Sequence, residues 1–293
     1  MPWLELHITT SADQAALLSD QLTLLGAQAV TLQDAGDQPI YEPSDATPRI
    51  WHETILIGLF DYQQAMPPIL TYLEEQQTAG LLKHIELKEV ADEDWVRRSL
   101  DSFKPLCFGK RLWICPSWHT PPLSAAINII LDPGLAFGTG THPTTALCLE
   151  WLDEHSQAEH YVIDYGCGSG ILGLAALKLG AKQVLAVDND PQALEATQYN
   201  AARNAVYSPQ LRVSLPSAVG DQKADLLIAN ILAKPLIDMA PCFEKLVKPQ
   251  GKILLSGILA DQVNAVVEAY QATFLMQPPV YKGEWARLAG ERK

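Results

Sequence analysis

The sequence has 293 residues, 48% of them hydrophobic, and a formal net charge of −13. This length and apolar content allow a large core and predict two domains. The first ten residues, MPWLELHITT, lack the basic start and apolar core of a secretory signal, and no run of about 20 apolar residues follows. Five cysteines without a C-x-x-C pair argue against a disulfide framework and a structural zinc site. We therefore expect a cytoplasmic protein with no membrane association and no metal.

The first third of the chain carries most of the negative charge. Residues 1–90 hold 13 acidic residues against three basic ones, a net charge of −10. A surface this acidic repels phosphate backbones and attracts cationic partners. The charge favours a basic protein as the partner over nucleic acid, and the alternative is that it serves solubility alone.

Residues 1–90 predict a small α+β ferredoxin-like domain. Their pattern is strand, helix, strand, strand, helix, strand, with strands expected at WLELHIT, AVTLQDA, ETILIGLFD and HIELKEV. Apolar residues at helical spacing predict one helix after Ser11, a candidate N-cap. The same spacing predicts a second helix, whose start is marked by Pro67 and Pro68.

A linker is predicted at residues 91–110, where ADEDWVRRSLDSF has the pattern of a charged amphipathic helix. Residues 111–293 predict an α/β domain with a doubly wound, Rossmann-like sheet, because strand, glycine loop and helix alternate along them. Its strands are expected at VIDY, QVLAVD, RVSL, ADLLIAN and GKILLSG.

One glycine loop follows the strand VIDY and carries Gly166, Gly168 and Gly170. Glycines between a strand and a helix let backbone N–H groups approach a ligand closely at the helix N-terminus. Asp188 ends the next predicted strand, where a carboxylate accepts hydrogen bonds from both hydroxyls of a ribose. The glycine loop and Asp188 together predict an adenosine cofactor. The structural alternative is a tight turn with an aspartate that caps a helix.

Spacing alone leaves the adenosine ligand open, because Gly168-Ser-Gly170-Ile-Leu-Gly173 also matches the dinucleotide pattern G-x-G-x-x-G. Asp164 stands two residues before the first glycine. A carboxylate there is unfavourable beside a pyrophosphate but suits a ligand with an ammonium and a sulfonium group. We therefore expect S-adenosylmethionine rather than NAD as the ligand.

A second glycine-rich segment, Gly138-Thr-Gly140-Thr-His142-Pro143-Thr-Thr145, precedes a helix with proline in its first turn. Its amides and hydroxyls, Thr145 included, would receive the carboxylate of a methionine moiety, and an ordinary capped helix start is the alternative. His142 is a candidate general base, although a histidine at a helix start more often holds the backbone in place.

Asn230 ends the predicted strand ADLLIAN, at the sheet edge where ligands bind in open α/β folds. Its carboxamide oxygen would accept a hydrogen bond from a substrate amine and orient the lone pair toward the methyl group, which makes it the candidate catalytic residue. The alternative is a polar residue that caps a strand end. Four tryptophans would either contact a cationic substrate or cofactor through cation–π interactions or serve packing alone. They are Trp113, Trp118, Trp151 and Trp285.

Six motifs along the chain are WICPSW, LDPGLAFGTGTHPTT, VIDYGCGSGIL, AVDNDPQALEATQYNAARN, LLIANILAKPL and LLSGIL. Taken together, they resemble the bacterial ribosomal protein methyltransferases that modify the eleventh protein of the large subunit. The resemblance implies a class I S-adenosylmethionine-dependent methyltransferase domain behind an N-terminal substrate-recognition domain and a mobile linker. It also implies multiple methylation of one basic ribosomal protein, at lysine side chains and the N-terminal amine. The family's cofactor contacts fall on Thr145, Gly166, Asp188 and Asn230.

The sequence departs from related enzymes at two places. Asn189 stands where relatives carry an aliphatic residue beside adenine, and Asn230-Ile-Leu-Ala233 lacks the Pro and Tyr wall of enzymes that methylate planar groups. A flexible aliphatic amine suits this site better than a planar base. An RNA methyltransferase would need a basic patch, and a non-enzymatic ribosome-binding factor remains a second alternative. We expect a monomer without stable nucleic-acid binding.

Overall fold

The computed structural model describes residues 2–36, 38, 50–90, 103–123, 126–132, 142–155 and 157–293. The chain divides into two compact units, Met1–Arg97 and Arg98–Lys293. Most of the predicted linker helix and the Gly138–Gly140 segment lie outside the described residues. Among the helices in the described ranges, none is long and apolar enough to span a membrane.

The first unit is one antiparallel sheet covered by two helices. Its elements are β1 (Trp3–Ser11), α1 (Ala12–Leu24), β2 (Ala29–Asp34), β3 (Glu53–Asp61), α2 (Met66–Thr78) and β4 (His84–Val90). The strand order β2-β3-β1-β4 is that of a ferredoxin-like sheet. Alternation in β1 buries Leu6 and Ile8 against Leu18 and Leu22 of α1 and Leu73 of α2. Burial of this alternating face holds the helices on one side of the sheet.

The second unit contains a doubly wound sheet, as predicted. Its strands are β8 (Tyr161–Tyr165), β9 (Gln183–Val187), β10 (Leu211–Ser214), β11 (Ala224–Asn230), β12 (Val247–Leu259), β13 (Phe274–Met276), β14 (Val280–Lys282) and β15 (Trp285–Arg292). The order is β10-β9-β8-β11-β12-β15-β13, with β14 beside β15. Strands β8 to β12 run parallel, and β15 runs antiparallel to β12. The strand order reverses between β8 and β11, which makes that gap the switch point of the sheet.

Helices cover both faces of this sheet. They are α3 (Pro143–Glu154), α4 (Ile171–Lys178), α5 (Pro191–Arg203), α6 (Ala233–Leu246) and α7 (Val263–Tyr270). Val162 of β8 packs with α3 and α4, whereas its neighbour Ile163 packs with α6 and α7. The central strands are therefore apolar on both sides, which explains their continuous hydrophobic runs.

The C-terminal end of the predicted linker overlaps a small sheet. Leu106–Phe108 form β5, which pairs with β6 (Leu112–Cys115), and β6 pairs with β7 (Ile127–Ile130). Phe108, Leu112 and Ile129 are buried in one cluster with side chains of α3 and α4. Because these side chains bury apolar surface together, residues 106–108 pack with the second unit.

Candidate functional site

A cavity of about 230 Å³ lies at the carboxyl ends of β8 and β11, at the switch point. Its lining residues are Thr145, Gly166, Cys167, Gly168, Ile171, Leu172, Asp188, Asn189, Asn230 and Ile231. Five of the predicted cofactor residues are among them: Thr145, Gly166, Gly168, Asp188 and Asn230. The structure therefore brings together residues that are far apart in the chain.

The glycine loop depends on left-handed backbone conformations. Gly166, Gly168 and Gly170 have φ values of 75°, 52° and 77°. The N–H of Gly166 donates to the carbonyl of Val187 at 2.7 Å, which ties the loop to β9. A Cβ on Gly166 would lie 2.3 Å from Cγ2 of Ile231, so a larger residue would displace the loop.

Gly170 does not line the cavity, contrary to its prediction as a cofactor contact. It precedes α4 in a left-handed conformation, and a Cβ there would lie 2.8 Å from Cγ2 of Thr197. Its role is to let the loop turn into the helix beside α5. The sequence pattern indicated the glycine but not the element that it contacts.

Asp188 lies on the cavity wall directly after β9, as predicted. Its Oδ2 accepts from the N–H of Gly168 and its Oδ1 from the N–H of Asp190, both at 3.0 Å. A carboxylate offers about four lone-pair positions, so each oxygen keeps one for a further donor. The side chain is half-buried, and its oxygens are held at a fixed place by the backbone.

Asp164 takes a different position from the one predicted. Its carboxylate is 1% exposed, does not line the cavity, and accepts the N–H of Gly173 in α4 at 2.8 Å. Burial raises its pKa to about 7, and the nearby charge of Asp188 acts in the same direction. Asp164 therefore ties β8 to α4, the helix that follows the glycine loop. Its role beside a ligand ammonium group stays a prediction.

Asn230 and Thr145 form the other wall of the cavity. Nδ2 of Asn230 donates to Oγ1 of Thr145 at 3.2 Å, and Thr145 is 1% exposed. Within the described ranges, Oδ1 of Asn230 has no hydrogen-bond partner. In the strand beside it, Ser256 donates to the carbonyl of Thr144 at 3.1 Å and fixes the start of α3. The carboxamide thus presents an acceptor oxygen to the cavity.

Among the residues that sequence reasoning missed are Ile231, which lines the cavity, and Gly257, which lies behind it. The side chain of Ile231 packs against Gly166. Gly257 has a φ of 85°, and the backbone of Ile231 approaches it so closely that no side chain fits there. A Cβ on Gly257 would lie 2.2 Å from the carbonyl oxygen of Ile231. The glycine in the motif LLSGIL was the available signal, since glycine inside a strand often marks a close approach of backbone.

His142 holds the backbone at the start of α3. As the N-cap residue, it accepts from the N–H of Thr144 through Nδ1, and its ring lies edge-on to Trp285 with 4.8 Å between centroids. Burial lowers the pKa of His142, which favours the neutral ring. None of the four tryptophans is among the described lining residues. These contacts support packing and capping over chemistry.

Comparison with known proteins identifies the family. A sequence model described as "Ribosomal protein L11 methyltransferase (PrmA)" matches residues 2–293. The chain belongs to this family. The ribosomal protein L11 methyltransferase of Marinobacter nauticus is 51% identical and that of Pseudomonas paraeruginosa 48%, each alignment covering 100% of this chain and 99% of the relative. The L11 methyltransferase match spans both compact units.

A solved structure carries the same fold. The crystal structure of a ribosomal protein L11 methylase from Lactobacillus delbrueckii subsp. bulgaricus is 36% identical, with a TM-score of 0.60. The match covers 65% of this chain and 100% of that one. The second unit has the class I methyltransferase fold expected of a ribosomal protein L11 methyltransferase.

Proposed function

We propose that this protein transfers methyl groups from S-adenosylmethionine to ribosomal protein L11. The observation that carries the proposal is the joint placement of Asp188 and Asn230 on one cavity, in a chain of the L11 methyltransferase family. Asp188 would hold the nucleoside, and Asn230 would hold the acceptor amine. A cavity that holds both the Asp188 carboxylate and the Asn230 carboxamide suits a transfer between a cofactor and an acceptor, and not nucleotide binding alone.

The cavity residues fit S-adenosylmethionine. Gly166 and Gly168 adopt positive φ, so backbone lines the space that side chains would otherwise fill. Asp188 would accept the ribose hydroxyls with the lone pairs that its two backbone donors leave. Thr145 would lie on the methionine side, near the N-terminus of α3. The bound cofactor supplies an electrophilic methyl group on a sulfonium.

Asn230 positions the acceptor amine. Its Oδ1 accepts a hydrogen bond from the amine N–H, and the bond from Nδ2 to Thr145 keeps that oxygen directed into the cavity. An amine oriented in this way directs its lone pair along one line, which is the geometry that a displacement reaction requires. Attack needs the neutral amine, since an ammonium group has no lone pair.

The amine loses its proton to water before transfer. The described lining residues include one carboxylate, Asp188, and both of its oxygens already accept backbone N–H groups. They include no histidine and no lysine. Desolvation in the cavity favours the neutral amine over the ammonium form.

The acidic first unit recruits L11 through its charge. Asp13 and Asp20 of α1 and Glu74 and Glu75 of α2 add negative charge to helices without a basic residue in their last turns. A basic ribosomal protein is attracted to such a surface, whereas an RNA backbone is repelled. Successive binding in different orientations brings several amines, lysine side chains and the N-terminal amine, to one site. We place this reaction in the cytoplasm and assign it to the monomer.

Intact-mass analysis of purified L11 tests the proposal. L11 incubated with the protein and S-adenosylmethionine should gain methyl-sized increments, and Asn230→Ala should lose most of this gain while still binding the cofactor. Asn264→Ala, at an exposed position of α7, is the matched control and should behave as wild type. L11 of unchanged mass, with a wild-type protein that binds the cofactor, would refute the assignment of the substrate.

A further inference from the structure

Helix α5 and its C-cap residue Asn204 carry a row of buried polar side chains. Thr197, Asn200 and Asn204 are 0%, 8% and 5% exposed, and their spacing of three and four residues places them on one helix face. Buried polar groups are costly unless each has a hydrogen-bond partner. Each of the three has one, and the partners lie in two separate segments of the second unit.

The first segment is the glycine loop. Oγ1 of Thr197 donates to the carbonyl of Gly168 at 3.0 Å, and Nδ2 of Asn200 donates to the carbonyl of Ser169 at 2.9 Å. These are consecutive carbonyls of the loop, and Gly168 lines the cavity. Neither Thr197 nor Asn200 lines it. Their effect on the cavity therefore passes through the loop: through its backbone and, for Thr197, also through the thiol of Cys167, which lines the cavity and lies 3.4 Å from Oγ1.

The second segment anchors the helix independently of the loop. Asn204 accepts from the N–H of Ile130 and donates to its carbonyl, both at 2.8 Å, as a neighbouring strand would. Arg203 pairs with Asp132 at 2.6 Å. The other end of α5 is capped by Asp190, which accepts the N–H of Gln192 at 2.9 Å. Held at both ends, α5 is a rigid support for the loop.

The peptide between Gly168 and Ser169 needs such a support. The C=O of Gly168 and the N–H of Ser169 lie in one plane, so the hydrogen bond from Thr197 fixes the direction of both. Gly168 has a φ of 52°, and glycine populates positive and negative φ about equally, so its own backbone preference does not hold the plane. The N–H of Gly168, which belongs to the preceding peptide, donates to Asp188, so the two hydrogen bonds hold Gly168 from both of its sides.

We propose that Thr197 and Asn200 are positioning residues for the cofactor, which fix the peptide planes of Gly168 and Ser169 from behind the cavity. The inference rests on the proposed function, since it takes S-adenosylmethionine as the ligand of this cavity. Loss of either donor removes a hydrogen bond that holds a loop carbonyl and frees the loop to adopt a second orientation. Gly168 is then held on one side only, by its N–H bond to Asp188, and the nucleoside side of the cavity loses its fixed geometry.

The dissociation constant of S-adenosylhomocysteine, measured by calorimetry, tests the inference. Thr197→Val removes the hydroxyl with little change of shape, and we expect a Kd about tenfold higher because a buried carbonyl loses its donor. Thr197→Ser retains the hydroxyl and should restore binding. Tyr270→Phe is the matched control: it removes a buried hydroxyl that donates to the carbonyl of Leu236 at 2.7 Å, away from the cavity.

Hydrogen exchange gives a second readout that does not depend on activity. The amides of Gly168 and Ser169 should exchange faster in Thr197→Val and at the wild-type rate in Tyr270→Phe. An unchanged Kd in folded Thr197→Val would overturn the inference. Where Thr197→Val does not fold, Asn200→Ala is measured in the same way, and an unchanged Kd there is equally decisive. A wild-type protein that does not bind S-adenosylhomocysteine would instead refute the proposed function itself.

Discussion

The carboxamide of Asn230, at the end of β11, is held by the hydroxyl of Thr145 in α3, which lies 3.2 Å from Nδ2 and 85 residues away in the chain. In this arrangement Nδ2 lies against Thr145, and Oδ1 is the end of the carboxamide that is left to the cavity. The donor end is occupied by Thr145, so the acceptor end is available to a substrate N–H. A residue of α3 thus determines the orientation of the proposed catalytic group of β11.

Removal of the Thr145 hydroxyl should therefore impair transfer. We expect Thr145→Val to lower kcat about tenfold, because the carboxamide of Asn230 is free to rotate, and Asn230→Ala to lower it about 100-fold. Thr145→Ser, which retains the hydroxyl, should stay close to wild type. Single-turnover kinetics with L11 measures the effect. Equal rates for the valine and serine variants would contradict the role of this bond.

Asp188 should govern cofactor affinity. Asp188→Asn removes the charge and one acceptor, and since hydrogen bonds to charged groups contribute about 1.5–3 kcal/mol, Kd for S-adenosylhomocysteine should rise about tenfold to 100-fold. Asp190→Asn makes the same chemical change two residues later, where the side chain caps α5 and asparagine caps equally well. Calorimetric titration should show wild-type affinity for that control. A loss of the same size in both variants would argue against a direct contact by Asp188.

Gly257 should tolerate no side chain. In Gly257→Ala the new Cβ would lie 2.2 Å from the carbonyl oxygen of Ile231, so the segment that carries Asn230 must move. A displacement of this kind should lower kcat/KM by about 100-fold. Gly220→Ala is the control, because Gly220 also has a positive φ, 72°, but has no atom within 4 Å of the added Cβ. Steady-state kinetics on both variants separates the clash from backbone strain, which both share.

Asp164 should make stability fall as pH rises. Its folded pKa of about 7 lies above its ordinary value of 3.8 because the carboxyl is buried. Between these values the folded chain binds a proton that the unfolded chain releases, so stability is highest on the acid side and declines toward pH 7. Asp164→Asn keeps an acceptor for Gly173 without the charge.

The asparagine variant should therefore unfold at higher denaturant concentration than wild type at pH 8, by up to a few kcal/mol in free energy of unfolding. At pH 5 the difference should shrink, because the wild-type carboxyl is then largely protonated when folded. Urea unfolding at the two pH values measures the difference. The same gain at both would show that the effect is one of packing and not of charge.

The rate of methyl transfer should follow deprotonation of the amine. For a lysine with a pKa near 10.4, single-turnover rates should rise about tenfold per pH unit between pH 6 and 9. His142→Asn should keep this slope, since asparagine also caps a helix and burial already favours the neutral histidine. A plateau in wild type that disappears in the variant would identify His142 as a base.

Local pattern was sufficient for much of this protein. Apolar strand patterns and the glycines that follow them predicted the positions of β8, β9 and β11 to within about a residue or two. Both signals come from residues close together in the chain. The ends of these strands then indicated Asp188 and Asn230, since parallel strands end at one sheet edge. The boundaries proposed for the first domain and its linker rest on the same kind of pattern and stay predictions.

Local sequence patterns did not predict the contacts between segments that are far apart in the chain. Asp164 has the sequence position of a ligand contact, yet the packing of α4 on β8 buries it beneath the loop. Thr197 sits in a motif that indicates only a helix, and Leu106–Phe108 are too short to show a strand period.

The amino-acid sequence by itself determined the fold class, the glycine loops and the residue types available for binding, since these follow from spacing along the chain. Only the tertiary structure decided which of those side chains line the cavity and which hold it from behind. The physical reason is that the direction of a side chain depends on what packs against it, and for Asp164, Gly170 and Gly257 the neighbour comes from another element.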